Sequence, residues 1–105
     1  MSIPEKSAAV TTTYAEFEAA ARAAGADAVL ERHWAPLTVL DTHTHPFAAS
    51  ALVVQGEMWL AVDEGGTVGV ECHLRPGDRF EVAREVPHRE RYGAEGATYW
   101  VARRD

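Results

Sequence analysis

Asp41-Thr42-His43-Thr44-His45-Pro46-Phe47 is the stretch on which the reading of this chain turns. Side chains alternate across a strand, so His43 and His45 point to one face with Thr44 turned away between them. Two imidazoles on one face are either two-thirds of a metal site or a polar blemish on a wall. The choice depends on whether a third ligand arrives from elsewhere in the chain.

On either side of this stretch the pattern is short and strand-like. Residues 28–34 and 37–45 read as strands separated by Pro36, and 51–54 is an apolar run. Gln55-Gly56 reads as a tight turn into 57–62, where Met58, Leu60 and Val62 alternate with Glu57, Trp59 and Ala61. Asp63-Glu64-Gly65-Gly66 is a strong turn signal. Residues 67–74 place Val68, Val70, Cys72 and Leu74 against Gly69, Glu71 and His73. Arg75-Pro76-Gly77-Asp78 turns again into a short strand at 79–82. A run opens near His88, and a last one, 98–103, follows Gly93-Ala94-Glu95-Gly96. Around eight short strands at near-regular spacing predict an antiparallel sandwich or barrel.

N-terminal to the strands, residues 1–11 read as a loose polar lead-in. Thr13 and Glu16 form a capping-box pattern for a helix to about Ala24, with Gly25 as its stop. Tyr14, Phe17, Ala21 and Ala24 line one stripe, and Glu18 and Arg22 pair at i,i+4. So narrow a stripe suits a helix docked outside something larger. The expected organisation is one domain, 1–105, with tail and helix over 1–27 and the β-structure over 28–105.

A chain of 105 residues has room for one core. Its net charge of −6 argues against nucleic-acid or anionic-membrane partners, which call for a basic stripe. No apolar run approaches the roughly 20 residues of a spanning helix, and residues 1–6 lack a signal-peptide core. The expected location is cytoplasmic. Cys72 is the only cysteine, so any transition metal would be held by nitrogen and oxygen.

The third ligand is His88. In His88-Arg89-Glu90-Arg91-Tyr92, alternation puts His88, Glu90 and Tyr92 on one face and both arginines on the other. If that face is interior, His43, His45 and His88 converge with Glu90 close by. Neutral imidazole suits zinc, iron, manganese, nickel and copper alike, and three nitrogens leave positions open for water or substrate.

These residues resemble the cupins. Their first motif runs glycine, five residues, His-x-His, three or four residues, glutamate, six residues, glycine; His43, His45 and Gly56 fall on it. Their second runs glycine, five residues, Pro-x-Gly, two residues, histidine, three residues, asparagine; Gly77 and His88 fall on it. The resemblance covers roughly residues 30–104 and implies a double-stranded β-helix, the jelly-roll barrel, with one divalent metal inside. The departures are specific. Leu37 stands at the opening glycine, Ala49 or Ser50 at the glutamate, and Ala83, Glu85 and Tyr92 at proline, glycine and asparagine. The pattern is that of a three-histidine cupin, with Glu90 as candidate fourth ligand or general base. The alternative for Glu90 is a surface acid paired with Arg89 or Arg91.

Other residues carry plainer readings. His73 falls on the polar face, and His33 is peripheral. Asp41 either enters the pocket as acceptor to a histidine N–H or is turned outward by a bulge. Cys72 is expected inward as a small buried hydrophobe. Trp59, Tyr99 and Trp100 are packing residues. Arg84, Arg89, Arg91, Arg103 and Arg104 form a solvated face or half of a dimer contact, since cupins commonly pair through sheet edges; a homodimer is expected. Two functions follow. One is a metal-dependent enzyme on a small organic molecule, of dioxygenase, isomerase or decarboxylase type, with Met58, Leu60 and Tyr92 lining its pocket. The other is a non-catalytic module that senses a small ligand or holds a metal.

Overall fold

The computed structural model describes residues 10–63 and 69–105. The expected turn after Asp63, the start of the 67–74 strand and most of the N-terminal lead-in lie outside these residues. Helix α1 spans Tyr14–Ala23, and the strands are β1 Ala28–Trp34, β2 Val39–His43, β3 Ala48–Val62, β4 Cys72–Leu74, β5 Arg79–Val82 and β6 His88–Arg104.

Two long strands build the fold. β3 and β6 pair antiparallel from Ala48↔Arg104 to Val62↔His88, and both bend midway. Their bend divides the sheet into two four-stranded halves. In the first, β5 and β1 flank residues 48–53 of β3 and 97–103 of β6. In the second, β4 and β2 flank residues 58–62 of β3 and 88–92 of β6. The outer strands do not pair with one another among the described residues, so this is a two-layered antiparallel β-structure whose sheet is not closed.

The expected tight turn at Gln55-Gly56 is a bend inside one continuous strand. The β3–β6 register slips between Val53 and Gln55 and again between Gly56 and Met58. Gly56 has φ +75°, and a Cβ there would stand 2.1 Å from the Gly96 carbonyl oxygen. Gly96, at φ +71°, faces the Trp34 carbonyl oxygen at 2.2 Å from its own would-be Cβ. Backbones approach this closely only where side chains are absent. Gly93 to Gly96 is likewise no turn between strands but the matching bend in β6.

Each bend shifts the side-chain frame by one residue. On β3 the inward residues are Ala51 and Val53 before the bend and Met58 and Leu60 after it; on β6 they are His88, Glu90 and Tyr92, then Tyr99 and Val101. These, with Leu74, Val82 and Ala97, form the core between the halves. A second cluster lies on the outer face of the first half, where Phe17 and Val29 meet Leu52 and Trp100, with Tyr14 and Ala21 packed alongside. The helix covers that face from outside.

The helix forms as its sequence predicts. Thr13 Oγ1 accepts the Glu16 N–H at 3.1 Å, Glu16 Oε1 accepts the Thr13 N–H at 2.9 Å, and Arg22 meets Glu18 at 3.2 Å. Ala24 is exposed, so the buried stripe ends at Ala21.

Cys72 is a correction. Register with Leu60 keeps it on the inward side, yet it is exposed, because β4 is a three-residue edge strand with nothing described beyond it. Val70 is 91% exposed, so of the 70–74 alternation only Leu74 reaches the core.

Candidate metal centre

Three separate segments deliver the histidines. His43 ends β2, His45 follows in the connection to β3, and His88 opens β6 directly across the ladder from His43. Ring centroids lie 4.3 Å (His43–His88), 4.9 Å (His43–His45) and 5.1 Å (His45–His88) apart. Each ring offers a nitrogen within 4.8 Å of the other two.

Two of the rings are oriented from behind. His43 Nδ1 lies 2.6 Å from the Asp41 carbonyl oxygen, and His88 Nδ1 lies 3.0 Å from that of Val86. A carbonyl only accepts, so each Nδ1 carries a proton, and each Nε2 is the atom left to meet a metal ion or to share a proton with Glu90. Both Nε2 atoms face one carboxylate oxygen: Glu90 Oε2 is 3.6 Å from His43 and 3.4 Å from His88, the latter within reach of a shared proton. His45 is held differently, its ring stacked on Phe47 at 4.8 Å.

A one-residue bulge sets this arrangement. Leu40 pairs with Glu90 and His43 with His88, so β2 carries an extra residue over that interval. Asp41 is exposed and contributes its backbone carbonyl, which accords with the outward-turning bulge.

Glu90 is 8% exposed, and Tyr92 Oη donates a hydrogen bond to its Oε1. Neither neighbouring arginine pairs with it. Arg89 meets Asp63 at 3.3 Å, and Arg91 meets Glu71 at 2.7 Å, both on the opposite face. Burial pushes the Glu90 carboxyl upward, but hydrogen bonds from His88 and Tyr92 and the charge of His43 outweigh it and leave the pKa low. For His88, burial pulls downward, and the bonds to Glu90 and Val86 carry it above its ordinary value. His45 is lowered by burial first, then by His88 and His43.

The donor set fits a divalent ion. Three neutral imidazoles and one carboxylate oxygen are nitrogen and oxygen ligands of intermediate softness, which first-row metals accept. Two imidazole Nε2 atoms turned toward one carboxylate oxygen call for a cation or a proton between them. Three histidines on one side leave the far side of such an ion open.

Beside the cluster is a cavity of about 190 Å³, bounded by His45, His88 and Glu90 and by apolar walls that include Leu30, Phe80 and Val101. Tyr92, Met58 and Leu60 belong to the core cluster between the halves; none of the three is among the cavity's lining residues. Arg103 does line it, although the sequence reading placed this residue on a solvated face. Strand alternation carries the missed signal: Tyr99, Val101 and Arg103 share parity, and the first two are core residues. A larger groove, about 590 Å³, runs between α1 and the outer face past Phe17, Ala20 and Ser50, and no histidine walls it. His73, stacked on Trp59 at 4.5 Å, and His33, bonded to Thr98 at 3.0 Å, both stand apart from the cluster.

No protein-family model matches the chain, and no curated protein matches it. Solved structures do. A structure from work on the DMSP lyases RdDddP and RnDddQII superposes with TM-score 0.64 at 19% identity, over 73% of this chain and 37% of that one. The oxalate decarboxylase of Bacillus subtilis, which has Mn(II) centres, gives 0.66 at 19% identity, over 73% of this chain and 20% of its own. CENP-C of Drosophila melanogaster, bound to CAL1, gives 0.64 at 18% identity, over 71% and 60%. The chain thus spans well under half of the two enzymes. At these identities the likeness concerns fold: the chain has the cupin jelly-roll fold, and within it three histidines are positioned to bind a metal ion.

Proposed function

We propose that this chain is a mononuclear metal-binding cupin that acts on a small organic molecule, with His43, His45 and His88 as metal ligands. Glu90 is the fourth ligand or the general base. The observation that carries this reading is the pairing of two constraints. Backbone carbonyls fix the Nδ1 protons of His43 and His88, and both Nε2 atoms are turned toward one buried carboxylate oxygen. A bound divalent ion would supply Lewis acidity or an orienting template at the open coordination positions. The chain's own residues orient the imidazole donors, keep a carboxylate ionised within reach and provide an apolar recess for substrate. The enzymes with which it shares its fold, among them an oxalate oxidase and a Mn(II)-containing oxalate decarboxylase, support metal-dependent chemistry on a small organic molecule.

A second reading is a non-catalytic module that holds a metal or senses a ligand. The likeness to CENP-C, solved bound to CAL1, supports it, because there the same fold is engaged in binding a protein. Pairing of two copies through open sheet edges belongs to either reading.

Cobalt substitution separates the two. Titration of metal-stripped protein with Co(II) should give ligand-field bands saturating at one equivalent, and azide should shift them by occupying an exchangeable position. Bands that saturate but ignore azide would indicate a closed, metal-holding site. No bands at all would remove the metal from the account.

A further inference from the structure

Arg103 is built into the cavity beside the histidines, and nothing in the metal reading uses it. Its guanidinium lies 3.8 Å over the Phe47 ring, and Phe47 in turn stacks on His45 at 4.8 Å, so cation, ring and imidazole form one column. Its Nε is buried without a hydrogen-bond partner, and no carboxylate pairs with the guanidinium among the described residues. A buried N–H donor without an acceptor is rare in folded proteins, and more so on a charged group. The column in which it sits marks one wall of the cavity.

We propose that this cavity binds a small organic carboxylate, with the acid group on Arg103 and a short apolar body against Leu30, Phe80 and Val101. The proposal deepens the metal-site reading and rests on it in placing the anion next to the ion. Three features select the ligand class. A guanidinium presents paired N–H donors in a planar fork, which match the two oxygens of a carboxylate. A volume of about 190 Å³ is below the roughly 300–1,000 Å³ of sites for drug-sized ligands, so the molecule is small. The walls away from Arg103 are largely apolar, which disfavours an ion charged all round, such as phosphate. Arg32 also borders the cavity. With Arg103 it outweighs the single ionised carboxylate of Glu90 on the same cavity, so a chain of net charge −6 presents a locally cationic lining there.

The test uses the full chain loaded with Co(II), with metal content measured in every sample. Benzoate and butyrate are titrated calorimetrically alongside benzamide and inorganic phosphate, in wild type, Arg103→Gln and Arg103→Lys. The expected result is binding of both carboxylates but not benzamide. Affinity should fall at least tenfold in Arg103→Gln and about three- to tenfold in Arg103→Lys, which keeps the charge but loses the fork. Metal content should equal wild type in both variants. Should Arg103→Gln fail to fold, the lysine variant carries the test. Equal carboxylate affinity in wild type and variants, phosphate binding in preference to both carboxylates, or no carboxylate binding at 10 mM would overturn the proposal. Failure of the metal reading would appear separately, as absence of cobalt from wild type.

Discussion

Glu85 donates its backbone N–H to the His45 carbonyl oxygen at 2.8 Å from a left-handed conformation, φ +61°. Leu37 holds the same φ, +61°. These are the two positions where the cupin motifs carry glycine and this chain does not. The backbone conformation that glycine ordinarily supplies has been retained without it, and at Glu85 it anchors the loop next to a histidine of the cluster.

Left-handed backbone costs an ordinary residue about 1–2 kcal/mol, which glycine avoids, though glycine gives part of that back as greater freedom in the unfolded chain. Glu85→Gly and Leu37→Gly are therefore each expected to stabilise the protein by about 0.5–1 kcal/mol. Leu37 is 71% exposed, so little packing is lost there. Urea denaturation checks this: the midpoint should rise with an unchanged slope. A lower midpoint for both would mean that the left-handed conformation is not strained.

The carboxylate of Glu90 is bonded through Oε1 to Tyr92 and turned toward the histidines through Oε2. Tyr92→Phe leaves Oε1 without its donor in a buried setting and should cost about 1–3 kcal/mol of stability. Glu90→Gln keeps the shape but removes the charge. It should weaken metal binding about 10–100-fold while leaving the stoichiometry at one, since the three imidazoles remain. Competition with a chromophoric chelator measures this, and an affinity equal to wild type would exclude Glu90 as the fourth ligand.

Asp63 ties the second half of the sheet together near the cluster. Its carboxylate accepts from Gly69 N–H at 2.6 Å, Thr42 Oγ1 at 3.0 Å and Arg89 Nε at 3.3 Å. The Gly69 bond first, then Thr42 and Arg89, hold its pKa below the usual carboxylate value against the opposing effect of burial. In the unfolded chain it returns to about 3.9, so the unfolded state binds more protons in that interval. The stabilisation is present above the unfolded value and disappears as pH falls through the lower folded value. Asp63→Asn should accordingly be less stable than wild type at neutral pH and lose less stability between pH 5 and pH 2. Thermal melts across that range decide it; parallel acid limbs for the two proteins would contradict the assignment.

Alternation made most of the site legible in sequence. His88, Glu90 and Tyr92 fall on one face because a strand has period two and no bulge interrupts those five residues; all three are buried. Local chemistry also served at α1, where Thr13, Glu16 and Gly25 mark both ends. What alternation cannot carry is a change of frame. The bends at Gly56 and Gly96 shift the inward set by one residue, and glycine pairs read as turns whether they end a strand or kink it. That is why β3 and β6 read as four strands; Arg103 lies past the bend, and only the parity it shares with Tyr99 and Val101 marks it as inward. Cys72 exposes a different limit: its face follows from register, but its burial depends on what lies beyond a sheet edge.

Metal content of protein purified without a histidine tag tests the central claim most directly. Elemental analysis should find one equivalent of a first-row transition metal in wild type and less than a tenth of an equivalent in His88→Ala, with the variant still folded by circular dichroism. Stoichiometric metal that is unchanged in His88→Ala, or a metal-free wild type that takes up none on dialysis against Mn(II), Fe(II), Co(II) or Zn(II), would contradict the account.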